Sequence, residues 1–486
     1  MVDEIYAIRG YYPTIGIECH VQLKTKTKLF AAVGNDARTA APNTLISHIC
    51  MGLPGALPVL NKKAIDLAIR AAYALSTSPQ LFSKFDRKHY FYPDLPMGYQ
   101  ITQYDQPIIL GGSVTTIVDG KEMLFDITRA HLEADAGKST HPASADYSLV
   151  DLNRAGTPLL EIVSEPCMHS AEEAKAYAHE LYLLMKYADV SDVNLFYGNM
   201  RFDVNVSVSK DPEVMGTRTE TKNLNSFRSV YDAVVYEINR QIDVLESGKG
   251  VVQETRGWLD DSAKTVSQRS KEDAHDYRYF PDPDLPPVVL DAEYIQSIKQ
   301  TMPTMPQALR KNFAVLELES SQVETIIDEP IAAQLLVHVI DAHDIPTAKT
   351  MANWLSGPLQ KLVSEGEISW QSIDGAGSKL VQLAVMVRDE LLSSSAAKEV
   401  MAEVLAKNED PLEVAKRLDV LQVSDSSELE KIVAAVISSN EKAASDVAKG
   451  EMKAIGFLTG QVMKASGGKA NPGVVQQIIK KQLGVE

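Results

Sequence analysis

The sequence changes character at one proline-rich loop, "FPDPDLPPVVLD", which ends near residue 291. Before this loop, strand-like runs such as "TIGIECHVQL", "LLEIVSEP" and "FDVNVSVS" are interspersed with helical patterns and with loops rich in aromatic residues, Pro and Gly. After it, the patterns are those of amphipathic helices separated by Gly, Pro and Asp. Strands and helices in irregular order favour an α+β fold for the first part. A second break at "IDGAGSK" leads us to predict three domains: 1–291, 292–374 and 375–486.

Three helices of the first part are predicted from helical patterns and their capping residues. Asn61 is a good N-cap ahead of a helical apolar pattern, and Ser170 with Glu173 three residues later is a capping box. A further helix is predicted from about Ser226 to Glu246. The sheet of the first part is therefore accompanied by at least three helices.

The charge of the chain limits its contact with nucleic acid to one segment. A net charge of −17 argues against a general nucleic-acid binder, because phosphates would be repelled. From Lys449 to Lys481, however, there are six lysines and a single acid, Glu451. We therefore predict that the tail contacts a phosphate backbone, through the residues Lys453, Lys464, Lys469 and Lys480.

Several features favour a cytoplasmic protein. No apolar run approaches the roughly 18 residues of a membrane span. The N-terminal "MVDEIYAIRG" has acids where a signal peptide has basic residues. Cys19, Cys50 and Cys167 are odd in number and show no CxxC spacing, which favours reduced thiols. We expect neither membrane nor DNA as a partner.

The run "TIGIECHVQL" carries Glu18 and His20 in an otherwise apolar pattern. Residues at i and i+2 of a strand lie on the same face. A carboxylate and an imidazole presented together can ligate a divalent cation. The alternative is a solvated strand face with no ligand, which a single pair of this kind does not exclude.

Other strand-like runs repeat the pattern, with Glu133 and Asp135, with Glu161, and with Arg201 and Asp203. An acid in an apolar strand is costly to bury unless it is paired or metal-bound. Together these acids predict a sheet with a metal-holding face. Oxygen ligands point to Mg²⁺ or Mn²⁺, and Mg²⁺ commonly binds together with nucleotide phosphates. An antiparallel sheet with one wet face remains the alternative.

Cationic residues near this face are candidates for nucleotide binding. Arg87 and Lys88 stand in the aromatic stretch "FDRKHYFYPDLPMGYQ", and Lys222 and Asn223 precede a helix. The chain contains no GxxxxGK[ST], no GxGxxG after a strand and no GxSxG. ATP, if it is used, must then be held by metal and side chains.

Several long stretches of the chain have unusual sequences. They are "IGIECHVQL", "GLPGALPVLN", "FDRKHYFYPDLPMGYQITQYDQP", "RAHLEADAGKSTH", "LVDLNRAGTPLLEIVSEP", "ETKNLNSF", "HDYRYFPDPDLPP" and, in the tail, "GFLTGQVMKASGGKANP". These stretches resemble one family, the B subunits of bacterial aspartyl/glutamyl-tRNA(Asn/Gln) amidotransferases. The resemblance implies a cradle domain similar in fold to glutamine synthetase, then an all-α helical domain and an α-helical tail that contacts tRNA. It also implies two partners, an amidase A subunit that frees ammonia from glutamine and a small C subunit.

The resemblance implies a reaction and roles for individual residues. The activity would be that of a ligase, EC 6.3.5.-, in which ATP phosphorylates the side-chain carboxylate of Glu-tRNA(Gln) or Asp-tRNA(Asn) and ammonia then displaces phosphate. The implied Mg²⁺ ligands are Glu18, His20, Glu133 and Glu161, and the residues acting on the phosphoryl group and the activated carboxylate are Lys88, Arg201 and Asp203.

Two positions depart from the family pattern. The family usually shows a second Glu where this chain has Ala134, and an Arg where it has Gly257. If that second Glu is an obligatory ligand, the metal shell is incomplete and Asp135 or water has to stand in, and at Gly257 one cationic contact is missing. Two other functions remain open at this point: a glutamine-synthetase-like ligase acting on a free amino acid, and a non-catalytic tRNA-binding scaffold, which Ala134 favours.

Overall fold

A computed structural model describes residues 4–142, 145–270, 276–422, 426–467 and 469–485. The chain divides into two compact units, Met1–Gln307 and Ala308–Glu486. The first boundary predicted from sequence lies earlier, at 291/292. It differs because the helix Ala292–Lys299 packs on the helix Lys62–Ala74, and Leu290 and Ile295 join the core of the first unit. The predicted division into three domains stays a prediction.

The first unit contains a large sheet and the helices that cover one of its faces. Its elements are β1 (Tyr12–Gln22), α1 (Lys62–Ala74), β2 (Phe82–Ser83), β3 (Asp86–His89), β4 (Tyr99–Thr102), β5 (Ile109–Leu110), β6 (Ser113–Val118), β7 (Lys121–Ala134), β8 (Lys138–Thr140), β9 (Leu149–Asp151), β10 (Pro158–Ser164), α2 (Ala171–Tyr187), β11 (Met200–Ser209), β12 (Thr219–Leu224), α3 (Phe227–Glu246), β13 (Glu254–Leu259), β14 (Lys264–Ser270), β15 (Phe280–Pro281), β16 (Val288–Val289) and α4 (Ala292–Lys299). Strands and helices together in one unit confirm the predicted α+β class.

Within the described residues, twelve strands form one sheet in the order β14-β13-β12-β11-β1-β10-β7-β4-β3-β15, with β5 and β6 also paired to β7. The central strand β1 is antiparallel to both β10 and β11. Every second residue of β1 from Pro13 to Val21 is buried, and the residues between them are only partly covered. The buried face packs against helices such as α2 and α3, which leaves the opposite face available for polar side chains.

The three helices predicted in the first unit are confirmed. Asn61 caps α1 by accepting a hydrogen bond from the Lys63 amide, and Ser170 caps α2 by accepting one from the Glu173 amide. The Glu173 carboxylate in turn accepts from the amide of His169, one residue before the position that a capping box predicts. Ser226 caps α3.

The second unit is helical, as predicted. Its helices are α5 (Pro306–Phe313), which begins at the boundary, α6 (Ser320–Ile327), α7 (Pro330–Ala342), α8 (Ile345–Leu355), α9 (Pro358–Ser364), α10 (Trp370–Gly375), α11 (Gly377–Arg388), α12 (Ser394–Lys407), α13 (Pro411–Arg417), α14 (Ser426–Ser439), α15 (Glu441–Ala448), α16 (Lys453–Ala465) and α17 (Pro472–Leu483). Helices α14–α17 enclose an apolar cluster of their own, which includes Val433, Leu458 and Ile479. In the part of the chain that the structure describes, no helix combines the length and the apolarity needed to cross a membrane.

Candidate active site

The strand register brings the polar residues of six strands into one row. His20 lies opposite Glu161 on β10 and opposite Arg201 on β11, and Glu18 lies opposite Asp203. Cross-strand partners share a face, so these side chains point the same way. The row continues from β10 to Glu133 on β7, and through β4 to Lys88 on β3.

His20 stands at the centre of a cluster of carboxylates. Its Nε2 lies 3.6 Å from Glu18 Oε1, 3.7 Å from Glu133 Oε1 and 3.5 Å from Glu161 Oε2. Two overlapping groups of candidate metal ligands contain His20: Glu18–His20–Asp203 and His20–Glu133–Glu161. Within each group the ligand atoms lie within 4.8 Å of one another. All four residues predicted as metal ligands therefore meet in one place, and Asp203 joins them.

The electrostatics of the cluster suit a divalent cation. Burial and the negative charge of Glu161 raise the pKa of Glu18 and of Glu133 to about 7. Burial lowers the pKa of His20, but its contact with Glu161 outweighs burial and raises that pKa to about 10. Crowded carboxylates with few cations between them are relieved when a metal ion binds, and carboxylate and imidazole are suitable ligands for one. The residues present therefore fit a bound Mg²⁺ or Mn²⁺.

Cationic side chains surround the cluster in the same open pocket, whose empty volume is about 780 Å³. Lys88, Arg201 and Lys222 line it together with the cluster. Burial lowers the pKa of Lys88, but Glu133, Tyr279 and Glu161 together outweigh burial and raise it, so the amine stays protonated. These cations provide positive charge beside the proposed metal ligands.

Asp203 is held by the strand that follows it. Lys222 Nζ lies 2.9 Å from Asp203 Oδ2, and the backbone N–H of Asn223 donates to Oδ1 over 2.7 Å. Asn223 adopts a left-handed conformation, with φ of 63°, at an irregularity between β11 and β12. This turn of the backbone aims the amide at the carboxylate, so Asn223 positions Asp203 through its main chain.

The structure places Arg87 away from this pocket. Because Arg87 and Lys88 are neighbours on β3, their side chains point to opposite faces. Arg87 donates to Asp282 and Asp284 and lies over the ring of Tyr99. Among the residues predicted to bind the nucleotide, Lys88, Lys222 and Asn223 line the pocket and Arg87 does not.

Sequence reasoning missed several residues at the site. His131 lies opposite Glu161, and its Nε2 is 3.6 Å from Glu161 Oε2. Its position two residues before Glu133 was a signal, since it follows the same i, i+2 rule. Gln100 and Tyr90 also line the pocket, but nothing local in the sequence shows which strand β4 joins.

The two departures from the family pattern do not open the metal cluster. Ala134 follows Glu133 on β7 and lies opposite Pro158, so its side chain is on the other face of the sheet. The expected gap in the metal shell is therefore not found. Gly257 lies beside Lys222, and a Cβ added there would be 2.1 Å from Gln268 Nε2. The side chain of Gln268 occupies the space above this glycine.

The four tail lysines lie in the second unit. Lys453 and Lys464 are exposed near the two ends of α16, and Lys480 is partly exposed on α17. Lys469 Nζ lies 2.5 Å from Asp419 Oδ2. Three of the four are thus available to a phosphate backbone in this structure.

Comparisons with known proteins identify the family of the chain. Residues 13–296 match the model of the GatB/GatE catalytic domain, and residues 334–483 match that of the GatB domain. The chain is 42% identical over 483 residues to the B subunit of the aspartyl/glutamyl-tRNA(Asn/Gln) amidotransferase of Carboxydothermus hydrogenoformans, covering 98% of this chain and 99% of the relative. It is 44% identical over 474 residues to the protein of the same name from Coxiella burnetii, covering 97% and 99%. The chain belongs to the family of aspartyl/glutamyl-tRNA(Asn/Gln) amidotransferase B subunits.

Proposed function

We propose that this chain is the ATP-using subunit of a tRNA amidotransferase, a carbon–nitrogen ligase of EC 6.3.5.-. It phosphorylates the side-chain carboxylate of Glu-tRNA(Gln), of Asp-tRNA(Asn) or of both, and it passes the activated acid to ammonia. The observation that carries the proposal is the pocket in which Glu18, His20, Glu133 and Glu161 meet the cations Lys88, Arg201 and Lys222. Family membership supplies the substrate class.

The chemistry needs this combination because a carboxylate is a poor acyl donor. An oxygen of the side-chain carboxylate attacks the γ-phosphorus of ATP, the bond to the bridging oxygen breaks, and ADP leaves. Ammonia then attacks the carbonyl carbon, the carbon–oxygen bond to phosphate breaks, and one proton of ammonia ends on the released phosphate. The products are the amide and inorganic phosphate.

The side chains of the pocket have separate tasks in this scheme. Glu18, His20, Glu133, Glu161 and Asp203 would hold Mg²⁺. When bound, Mg²⁺ neutralises charge on the phosphate oxygens. Lys88, Arg201 and Lys222 orient the phosphates and stabilise the charge that develops during transfer. Asp203 also keeps the ammonium of Lys222 in place.

A second pocket supports a reaction with two large substrates. It shares Glu18 with the first pocket and extends along β1 past Gly16, beside Asn205 and Ser207. Its empty volume is about 1040 Å³. Among the described residues that line it, Arg218 is the one basic side chain. ATP and the aminoacyl end of a tRNA can thus approach the metal cluster from two sides.

The proposal includes partners. Ammonia must attack as the neutral species, so delivery from an amidase A subunit, with the small C subunit completing a heterotrimer, fits the chemistry better than diffusion from water at neutral pH. The relatives are named as B subunits, which implies companion chains. Lys453, Lys464 and Lys480 are suited to binding the tRNA body. The fold of the first unit would then be the glutamine-synthetase-like cradle, and a tRNA substrate places the reaction in the cytoplasm.

One assay separates this function from a ligase that acts on free amino acids. The reconstituted heterotrimer is given ATP, an ammonium salt, and either Glu-tRNA(Gln) or free glutamate. We expect amidation of the tRNA-bound glutamate only, because the free amino acid lacks the binding energy of the tRNA. Equal rates with free glutamate would contradict the proposal.

A second assay separates it from a non-catalytic scaffold. His20→Ala should abolish ATP-dependent amidation and leave tRNA binding unchanged. Tyr12→Phe, on the same face of β1 but outside both pockets, is the matched control and should keep full activity. Full activity of His20→Ala would favour the scaffold.

A further inference from the structure

Lys28 is a buried amine that forms no salt bridge among the residues that the structure describes. The residue is 1% exposed, and its ammonium donates to Cys50 Sγ over 3.4 Å and to the carbonyl oxygen of Leu152 over 3.3 Å. Within the described residues Lys28 forms no salt bridge, although the carboxylate of Asp151 lies near enough for its charge to raise the pKa of the amine. An ammonium has three N–H donors, and a buried charge that lacks a counterion is strongly unfavourable. An anion bound next to this amine would therefore be electrostatically favourable.

A cavity of about 40 Å³ lies beside Lys28. Lys28, Cys50, Tyr99, Gln100, Ala134 and Gly156 are among the residues that line it. Its exposed lining is mostly apolar. A water molecule needs roughly 10–15 Å³ by this measure, so the cavity has space for two or three non-hydrogen atoms. That size suits chloride or formate and excludes sulfate and phosphate.

The one acid in the lining is already engaged. Asp135 Oδ2 lies 3.2 Å from Arg154 Nε and 3.5 Å from Arg201 Nη2, so it is shared between two guanidinium groups. Burial lowers the pKa of Lys28, and the contact with Cys50 and the charge of Asp151 offset this effect only in part. Ala134, whose side chain also borders the cavity, leaves open the space that a longer side chain would fill.

We propose that this cavity binds a small monovalent anion, of the size of chloride or formate, as the ion-pair partner of Lys28. The bound anion joins the segment of Lys28 to the end of β7 and to β4. Gln100 on β4 borders both this cavity and the pocket of the metal cluster, and Glu133, next to Ala134 on β7, lines that pocket. The anion is thus a structural ligand behind the active site, and its binding does not depend on the proposed reaction.

The first test measures thermal unfolding of the full chain in sodium formate and in sodium gluconate at equal ionic strength. Gluconate is too large for the cavity. We expect formate to raise the Tm in a saturable manner, because at ten times its dissociation constant a ligand of the folded state raises the folding equilibrium constant about eleven-fold. In crystals grown with bromide, anomalous scattering should show an ion within hydrogen-bonding distance of Lys28 Nζ. Equal Tm values in both salts, or no bromide peak at Lys28, would overturn the proposal.

Matched variants assign the effect to the cavity. Ala134→Glu should raise the Tm in gluconate and remove the response to formate, because its carboxylate replaces the anion. Ala134→Gln fills the same space without charge, so it should also remove the response but stay less stable than Ala134→Glu. Lys28→Met should lose the response. If Ala134→Glu were no more stable than Ala134→Gln, the proposed ion pair with Lys28 would be contradicted. If Lys28→Met does not fold, the bromide peak in wild-type crystals decides whether the cavity binds an anion.

Discussion

His20 Nε2 and Glu161 Oε2 lie 3.5 Å apart across β1 and β10, and the two residues are direct partners in the register. This contact makes Glu161 the carboxylate that stays ionised: burial opposes ionisation, but His131 and His20 hold its pKa well below the usual range. Its charge in turn raises the pKa of Glu18 and Glu133. Glu161 thus raises the pKa of three other residues of the cluster, Glu18, His20 and Glu133.

We predict that Glu161→Gln weakens Mn²⁺ binding to the full chain by at least about tenfold, since a ligand is replaced by a weaker one. Electron paramagnetic resonance of free Mn²⁺ measures the affinity. Glu165→Gln is the control, because Glu165 is exposed just after the same strand and its carboxylate bonds only to Thr128 among the described residues. If both variants bound Mn²⁺ like the wild type, Glu161 would not be a ligand.

Neighbouring residues on β3 should behave differently when each is replaced by methionine. Lys88→Met should lower kcat for amidation by about 10²-fold or more, because it removes a cation beside the transferring phosphoryl group. Arg87→Met should leave the KM for ATP unchanged and lower the thermal stability, because the buried Asp282 loses its partner. Steady-state kinetics and thermal unfolding distinguish the two. A raised KM for ATP in Arg87→Met would restore Arg87 to the nucleotide site.

A buried network joins α3 to the β13–β14 hairpin. The carboxylate of Glu237 is fully buried and accepts hydrogen bonds from Arg240, Thr219 and Thr265, while Arg256 Nε lies 3.1 Å away. Although burial raises the pKa of Glu237, these partners outweigh burial and lower it. The stabilisation is therefore complete above the unfolded pKa of about 4.3 and is lost as the pH falls towards the lower folded value.

We predict that Glu237→Gln destabilises α3 by about 3 kcal/mol at pH 7, since Arg240 loses its anion and Arg256 keeps only Glu254. The difference from wild type should shrink as the pH falls below about 4. Hydrogen exchange of the α3 amides measures both effects. Asp232→Asn, which breaks the exposed pair with Arg228 on the same helix, should change stability by less than about 0.5 kcal/mol. If the difference in stability between Glu237→Gln and wild type did not depend on pH, the ionised carboxylate of Glu237 would not be the source of the stabilisation.

The basic tail should determine the salt dependence of tRNA binding. Replacing Lys453, Lys464 and Lys480 together by Gln should reduce the slope of log Kd against log salt concentration by about 2, because fewer counterions are released. Filter binding at several salt concentrations measures the slope. The control replaces Lys311, Lys361 and Lys398 of the same unit by Gln, which changes the net charge by the same amount. This variant should have the same slope as the wild type. Equal slopes for both triple variants would remove these tail lysines from the tRNA interface.

The sequence alone predicts which site residues lie on the same face of a strand. Glu18 and His20 share a face because they are two residues apart, and the same spacing applies to Arg201 and Asp203. The alternation rule also explains Ala134, which adjoins a metal-cluster residue in sequence but faces the cavity of Lys28.

The other features of the site could not be predicted, because they depend on which strands become neighbours in the sheet. Gln100 enters the pocket because β4 lies between β3 and β7, and Arg87 meets Asp282 because β15 pairs with β3. Both relationships join residues that are far apart in the chain. Hydrophobic periodicity describes each strand by itself and contains no information on its partner.

The measurement that tests the central claim most directly follows oxygen from the amino acid to phosphate. Glu-tRNA(Gln) labelled with ¹⁸O in the side-chain carboxylate is incubated with ATP, an ammonium salt and the reconstituted heterotrimer, and the released phosphate is analysed by mass spectrometry. If the side-chain carboxylate is phosphorylated, each phosphate released with Gln-tRNA contains one ¹⁸O atom. Gln-tRNA formed together with unlabelled phosphate would contradict the account.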